Sequence, residues 1–208
     1  MITRQLVTSL NTARIKMRNS HPRIYNDLTC LFNYLKNQVT QEEKQINQNL
    51  LDFIKESNKI EGITEYSQDQ QYQAYWDFLE LRSITKADIL NLASILHTTS
   101  IDSHRSKPKL RSKPGMDVRV GSHSPMPGGI EVEMELDNLL HLINTTTFDQ
   151  SDVHWSHQLY EFLHPLTDGN GRTGRAIWAW MMIRCGRQVP SSFLHQWYYQ
   201  SLDNWRKD

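Results

Sequence analysis

Apolar residues recur at intervals of three and four along most of the chain, whereas the strict alternation typical of strands is scarce. The longest such stretch runs from Pro22 to about Ile60, and we expect a break between Gln38 and Glu42 to divide it into two helices. Met1 to Ser20 reads as an amphipathic helix, and Thr85 and Asp88 have the spacing of a capping box. The pattern therefore predicts an all-α fold. Further helices are predicted over residues 69–81, 85–97, 130–143, 152–163, 173–185 and 192–205.

One segment departs from the helical pattern. Between His104 and Gly129 the sequence is rich in proline, glycine and serine, around one short alternating piece, Met116 to Val120, that Gly121 follows. Such composition is typical of turns and loops. We expect a loop that carries a short two-stranded hairpin, and not a linker between domains.

Charge and composition exclude several classes of partner and site. The 208 residues include 23 basic and 23 acidic side chains, and this balance argues against nucleic acid or a membrane surface as a partner. No apolar run approaches the roughly 20 residues needed to span a bilayer. Only two cysteines, Cys30 and Cys185, are present, so a disulfide framework or zinc cluster is not expected. The N-terminus does not read as a secretory signal, and we expect a cytoplasmic protein.

The most informative segment is His164-Pro-Leu-Thr-Asp-Gly-Asn-Gly-Arg-Thr-Gly-Arg175, between two apolar helical stretches. Downstream, residues 176–183 are apolar nearly all round, which predicts a central core helix. The residues expected to form a buried face upstream are Trp155, Leu159, Phe162 and Leu163.

Two arginines in this segment predict an anion site. Arg172 and Arg175 fall in the first turn of the downstream helix, where the helix dipole makes a basic residue unfavourable by roughly 0.3–1 kcal/mol. A bound anion would compensate for them. Gly169, Asn170 and Gly171 supply backbone N–H groups of the kind that hold phosphates at helix N-termini. Together these features predict a site for more than one phosphate.

Two further side chains of the segment suggest the reaction. Asp168 stands beside the predicted phosphate site and is a candidate Mg²⁺ ligand. His164 is the candidate general base, because imidazole has an ordinary pKa near neutrality. These roles fit phosphoryl-type transfer to a hydroxyl, in which positioning and charge neutralisation do most of the work.

The segment resembles the signature of the Fic family, His-x-Phe-x-(Asp/Glu)-Gly-Asn-Gly-Arg-x-x-Arg, at every defined position except Leu166, where the family has Phe. The resemblance implies a Fic-type helical bundle and a protein adenylyltransferase, which moves AMP from ATP, with Mg²⁺, to a Ser, Thr or Tyr hydroxyl of a target protein or of the enzyme itself. Oligomerisation stays open. The roles it implies are general base for His164, metal ligand for Asp168, anion hole for Gly169, Asn170 and Gly171, and phosphate binding for Arg172 and Arg175.

Two other segments carry the same resemblance. Residues Val118, Arg119, Val120 and Gly121 resemble part of the family's flap, a β-hairpin whose edge pairs with an extended target segment. Ser57-Asn-Lys-Ile-Glu61-Gly62 is similar to the inhibitory pattern (Ser/Thr)-x-x-x-Glu-(Gly/Asn) of autoinhibited members. Ser57 and Glu61 are four residues apart, so both would lie on one helical face. Glu61 would then form a bidentate pair with Arg175 in place of the ATP γ-phosphate.

These features lead us to expect one compact domain overall, with N-terminal helices over 1–52, an inhibitory helix segment over 53–66 and a catalytic core over 67–208. Three alternatives remain open. The enzyme could use Glu61 to remove AMP from its target, or transfer another nucleotide or a phosphocholine group. It could also be a regulatory module that only binds nucleotide, although binding alone does not need a base such as His164.

Overall fold

The computed structural model describes residues 4–18, 21–100, 106–120, 123–147 and 150–188. These ranges hold seven α-helices and no extended strand, which confirms the predicted all-α class. The predicted C-terminal helix over 192–205, with its expected core residues Phe193, Trp197, Leu202 and Trp205, lies outside the described ranges. The helices are α1 (Arg4–Met17), α2 (Pro22–Ile60), α3 (Gln68–Leu79), α4 (Lys86–Thr98), α5 (Ile130–Thr145), α6 (Gln150–Leu163) and α7 (Asn170–Arg184).

The chain divides into two compact units, Met1–Gln48 and Asn49–Asp208, where the sequence led us to expect one. In the first unit, α1 contacts the beginning of α2 through Arg14. The Arg14 guanidinium lies 4.7 Å from the ring centroid of Phe32 and 5.9 Å from that of Tyr25. Cation–π contacts of this kind are worth roughly 0.5–1 kcal/mol at exposed sites.

The predicted break within residues 22–60 is wrong, because α2 continues through Gln38 to Glu42 as part of one 39-residue helix. The polar residues there interrupt the apolar periodicity, but none of them is a proline or glycine that would stop a helix. The helix ends just before Gly62, whose φ of +72° lies in the left-handed region that glycine adopts readily.

The second unit is built around α7, which is buried from Thr173 to Met182, as the sequence predicted. It packs closely against α6 at Gly174, where an added Cβ would collide with Glu161 Oε1 and lie 2.9 Å from Tyr160 Cδ1. At the beginning of α4 the predicted capping box is confirmed, since Thr85 and Asp88 each accept a hydrogen bond from the other's backbone N–H.

The predicted buried face of α6 is largely wrong. Trp155 is 53% exposed and Phe162 is 44% exposed, while Leu163 is buried as expected. The face that α6 turns to the core includes Ser156 and His157, which a search for apolar periodicity counts as polar. With Leu159, the two exposed aromatic residues line an open apolar cavity of about 430 Å³ between α5 and α6.

The segment between α4 and α5 is an irregular insertion, as predicted, but the hairpin is not seen. Val120 and His123 exchange backbone hydrogen bonds of 3.0 Å in one isolated antiparallel bridge, and Gly121 lies outside the described residues. A second bridge joins Leu110 to Leu166 in the loop after α6. Backbone hydrogen bonds therefore join the insertion to the first residues of the loop after α6. Across the described ranges, no helix has the length and apolar character that a membrane span requires.

Candidate active site

The loop from His164 to Gly169 joins α6 to α7, and Asn170 holds it in shape. The Asn170 side chain is buried, donates to Leu166 O at 2.7 Å and accepts from Leu166 N at 2.8 Å. Leu166 itself is fully buried in the core. Asn170 is the first residue of α7, so its backbone N–H lies in the turn where a helix supplies no acceptor. The side chain thus shapes the loop while the backbone remains suited to an anion.

A glycine is required where the loop enters α7. Gly169 has a φ of +81°, in the left-handed region that other residues adopt only at a cost. Its backbone N–H donates to Asp168 Oδ1 at 2.9 Å, and its carbonyl accepts from Thr173 N at 3.0 Å. The predicted metal ligand Asp168 is therefore fixed beside the first turn of α7.

His164 has an unusual backbone conformation and a shifted pKa. Its φ of 49° is left-handed, a strain on the order of 1–3 kcal/mol for a residue other than glycine. Its Nδ1 lies 3.4 Å from Glu161 O, and donation from Nδ1 leaves the Nε2 lone pair available to take a proton. Burial lowers the pKa of His164 to about 4, so the imidazole is neutral at pH 7. The side chain is ready to act as a base.

Arg172 is directed toward the end of α4. The buried guanidinium donates from Nη1 to Leu96 O and to Ser100 Oγ, each at 3.0 Å. Burial lowers the pKa of Arg172. A cation at the C-terminal end of a helix interacts favourably with its unpaired carbonyls. Its predicted contact with phosphate stays a prediction.

Arg175 is also fully buried, but its partners lie at the end of α2. Its Nε donates to Ser57 Oγ at 2.9 Å, and its Nη2 donates to Ser57 O at 2.9 Å and to Glu61 Oε1 at 2.7 Å. The two residues of the predicted inhibitory motif, Ser57 and Glu61, thus contact Arg175 in α7. The ion pair joins Nη2 to one oxygen of Glu61 where we expected a bidentate pair, and Nη2 also donates to Ser57 O while Nε donates to Ser57 Oγ.

The carboxylate of Glu61 also lies against the beginning of α7. A Cβ added at Gly171 would be 2.3 Å from Glu61 Oε1 and 3.1 Å from Arg175 Nη1. A negative charge therefore sits beside the helix N-terminus, where the sequence predicts the anion hole. Glu61 is 38% exposed, so water reaches one side of this ion pair.

Comparison with known proteins agrees with this geometry. Residues 83–182 match the model of the Fic/DOC family, a range that includes α4, the insertion, α5, α6 and most of α7. This part of the chain belongs to the Fic/DOC family. Proteins with a Fic domain are generally nucleotidyl or related transferases. The matched range does not include Ser57 or Glu61.

A solved structure has a similar fold. Fic-1 from C. elegans, in a form with one Glu-to-Gly substitution, is 18% identical, has a TM-score of 0.50, and covers 98% of this chain and 85% of its own. A second Fic-1 structure from C. elegans is 17% identical, with a TM-score of 0.49 and coverage of 98% and 77%. At these identities the likeness concerns the fold alone. No curated protein matches the chain.

The metal prediction depends on a single carboxylate of the Fic domain. Within the described ranges, no group of three or more His, Cys, Asp or Glu side chains is placed to hold a metal ion. Mg²⁺ usually keeps several waters and takes one or two protein carboxylates in addition to substrate phosphates. Asp168 beside a phosphate site meets that requirement, and its role stays a prediction.

The predicted flap residues are linked to α6 through His123. Val118, Arg119 and Val120 belong to the insertion, and Val120 exchanges backbone hydrogen bonds with His123. The His123 ring lies 5.0 Å from that of Phe162, and its Nε2 is 3.3 Å from Phe162 O. Docking of a target at this edge stays a prediction.

Sequence reasoning missed a buried glutamine that joins the two arginine sites. Gln71 in α3 accepts from Asn58 Nδ2 at 2.7 Å and donates to Ser100 Oγ at 3.4 Å. Asn58 follows Ser57, and Ser100 also contacts Arg172. A polar network therefore runs from the inhibitory segment to the end of α4. Gln71 stands among other polar residues of α3, and no pattern distinguishes it from them.

Proposed function

We propose that this Fic domain transfers AMP from ATP to a hydroxyl group of a target protein, and that Glu61 holds the enzyme in an inhibited state. One observation carries the proposal: the Glu61 carboxylate lies between Gly171 and Arg175, at the position where a phosphate would meet the beginning of α7. The known general activity of the domain supports transfer, and the buried neutral His164 supports a hydroxyl acceptor.

The site fits ATP and Mg²⁺ by its chemistry. The space that a Cβ would fill at Gly171 is left to the backbone, which allows close approach of an anion to the helix N-terminus. Arg175 supplies a fixed positive charge beside it. Asp168 would hold Mg²⁺ together with phosphate oxygens, and the bound ion would neutralise charge on the phosphates.

His164 and the first turn of α7 have separate roles in the proposed reaction. His164 Nε2 takes the proton from the acceptor hydroxyl, and the hydroxyl oxygen attacks the α-phosphorus of ATP. The bond from that phosphorus to its bridging oxygen breaks, and pyrophosphate leaves. Backbone N–H groups of the first turn of α7 stabilise the charge on the phosphate oxygens.

Inhibition follows from competition for Arg175. Nη2 donates one N–H to Ser57 O and the other to Glu61, and without Glu61 the second N–H would be available to the ATP γ-phosphate. While the carboxylate stays in place, ATP binds with its phosphates displaced from the productive position. Because Glu61 is partly exposed, the ion pair costs less to open than a fully buried one.

Transfer of label from α-³²P-ATP in the presence of Mg²⁺ tests both parts of the proposal. We expect strong labelling of target or enzyme by Glu61→Gly and weak labelling by the wild type. Adding His164→Ala to Glu61→Gly should lower the rate by a factor on the order of 10²–10⁴. Glu65→Gly is a matched control, because Glu65 is an exposed acid four residues further on.

Other outcomes would reassign the reaction. Label from γ-³²P-ATP would indicate phosphorylation in place of AMP transfer. If no variant transfers label from ATP, other nucleotides and phosphocholine donors become the candidates. If the wild type removes AMP from a labelled target and Glu61→Gly does not, Glu61 serves removal, and the inhibitory role is wrong.

A further inference from the structure

Arg111 is a fully buried arginine in the insertion between α4 and α5. Its guanidinium makes four hydrogen bonds, all to backbone carbonyl oxygens. A buried cation bonded to several carbonyls is an expensive arrangement that needs good geometry at every bond. The acceptors are Leu163 O at 2.9 Å, His164 O at 2.7 Å, Met116 O at 3.3 Å and Met126 O at 2.8 Å.

Two of these acceptors belong to the base and the residue before it. Leu163 is the last residue of α6, where a positive charge stabilises the unpaired carbonyls. His164 follows in its left-handed conformation, and such conformations persist only where the surroundings hold them. The bond from Arg111 Nε to the His164 carbonyl fixes the peptide group next to the base.

The other two acceptors lie on either side of the flap residues. Met116 precedes Val118 to Val120 along the chain, and Met126 follows them. The Arg111 backbone adds to the same junction, because its N–H donates to Pro165 O and its carbonyl accepts from Gly129 N, each at 2.9 Å. The segments on both sides of the flap residues therefore meet the base at one residue.

We propose that Arg111 is a positioning residue for the transfer reaction, which holds the flap and His164 in one fixed relation so that a hydroxyl presented at the flap meets the base. This proposal rests on the proposed function of the same site. Arg111 acts through backbone groups and does not itself touch ATP or the acceptor. Only a planar fork with several N–H groups reaches all four carbonyls, so lysine is not an equivalent substitute.

The test compares Arg111→Lys with Arg184→Lys, both in the Glu61→Gly background. Arg184 is a matched control, because it also donates to backbone carbonyls, those of Leu81 and Arg82, but at the far end of α7. We expect Arg111→Lys to lower kcat roughly 100-fold, since small misplacement of reacting groups has effects of that size. The Kd for ATP should stay within about threefold, because no bond from Arg111 reaches the predicted phosphate site.

A second readout does not depend on transfer. Without nucleotide, Arg111→Lys should speed amide hydrogen exchange in 112–120 and 123–129, and should shift the imidazole NMR signals of His164. The Arg184→Lys control should change neither. If the Glu61→Gly parent shows no transfer at all, the proposed function fails, and the exchange and NMR data still decide whether Arg111 holds the two segments together.

Two results would overturn the proposal. One is an unchanged kcat in Arg111→Lys, and the other is an equal loss of kcat, ATP affinity and thermal stability, which indicates a purely structural role. If Arg111→Lys does not fold, Asp117→Ala replaces it, because Asp117 Oδ1 accepts from Gly128 N and this bond lies on the flap side only. Faster flap exchange with a lower kcat would then support the proposal, and faster exchange with an unchanged kcat would contradict it.

Discussion

Arg172 and Arg175 lie one turn apart at the beginning of α7, yet they are held in two different ways. Arg172 bonds to a carbonyl and a hydroxyl at the end of α4, both neutral and both buried. Arg175 bonds to Ser57 and to a carboxylate that is 38% exposed. The first arrangement is a permanent structural joint, because its buried hydrogen bonds hold α7 against the end of α4. In the second, the ion pair with Glu61 can open while the buried bonds to Ser57 keep Arg175 in place.

The largest expected effect is a difference in how much the bonds of Arg172 and those of Arg175 contribute to the free energy of unfolding. Arg172→Met removes two buried hydrogen bonds from a charged donor, those to Leu96 O and Ser100 Oγ, and we expect the free energy of unfolding to fall by about 3 kcal/mol. Glu61→Ala removes only the exposed partner of Arg175 and leaves its buried bonds to Ser57, so it should lower the free energy of unfolding by about 1 kcal/mol. Urea unfolding of both variants measures the difference. Equal losses would contradict the distinction between joint and ion pair.

A smaller effect is expected in the pH dependence of stability, which two buried histidines, His157 and His164, control. Burial, and then the charge of Arg175, lower the pKa of His157 to about 3, while burial lowers that of His164 to about 4. Both values lie below the ordinary 6.5, so the unfolded chain takes up protons first, and stability present above pH 6.5 is lost as pH falls toward 4. We expect unfolding at pH 5.5 to need about 2.7 kcal/mol less than at pH 7.5, about 1.4 kcal/mol from each histidine. His157→Gln should remove about half of this difference, and an unchanged slope would show that His157 does not contribute.

Glu61→Gln tests whether the ion pair competes with nucleotide. The amide keeps the shape of the carboxylate and loses its charge, so Arg175 should become available to phosphate. We expect the affinity for a non-hydrolysable ATP analogue to rise roughly tenfold, or about 1.4 kcal/mol. Isothermal titration calorimetry measures it, with Glu65→Gln as the control. Equal affinity in Glu61→Gln and wild type would mean that Glu61 does not hinder binding.

Ser57→Ala should give the smallest effect. It removes the acceptor for Arg175 Nε, but the backbone carbonyl of residue 57 and the Glu61 carboxylate still hold Nη2. Loss of one such bond weakens the ion pair by less than about 1.5 kcal/mol. We expect AMP transfer to rise about threefold over wild type, well below the rise in Glu61→Gly. A rise as large as that of Glu61→Gly would make Ser57 the main restraint.

The sequence predicts the loop from His164 to Arg175 better than it predicts the helices around it. A dense run of glycine, charge and histidine has few interpretations. The pairing of Glu61 with Arg175 was predicted from the resemblance of residues 57–62 to the family's inhibitory pattern. The buried face of α6 was predicted wrongly, because Ser156 and His157 face the core there in place of Trp155. Such a choice depends on the partners that α6 meets, and no periodicity encodes them.

Arg111 and Gln71 mark a second limit of sequence reasoning. Both are fully buried polar side chains whose partners are distant in sequence. Arg111 lies between lysines and serines, a composition that reads as an exposed loop. What distinguishes it is the set of backbone carbonyls that converge on it, and these exist only once the chain has folded.

The close approach of Glu61 to Gly171 constrains how this enzyme can change by mutation. Any larger residue at position 171 would displace the carboxylate, but it would also fill the space proposed for phosphate. A change at Arg175 would remove the restraint together with its proposed nucleotide contact. Under the proposed function, a constitutively active form is therefore reached through substitutions in the last turn of α2 or in Glu61 itself, and loss of activity is the common outcome of substitutions in the loop. Under this proposal, substitutions in the inhibitory segment remove inhibition and leave the catalytic residues intact. Inhibition is therefore more sensitive to mutation of that segment than the transfer reaction is.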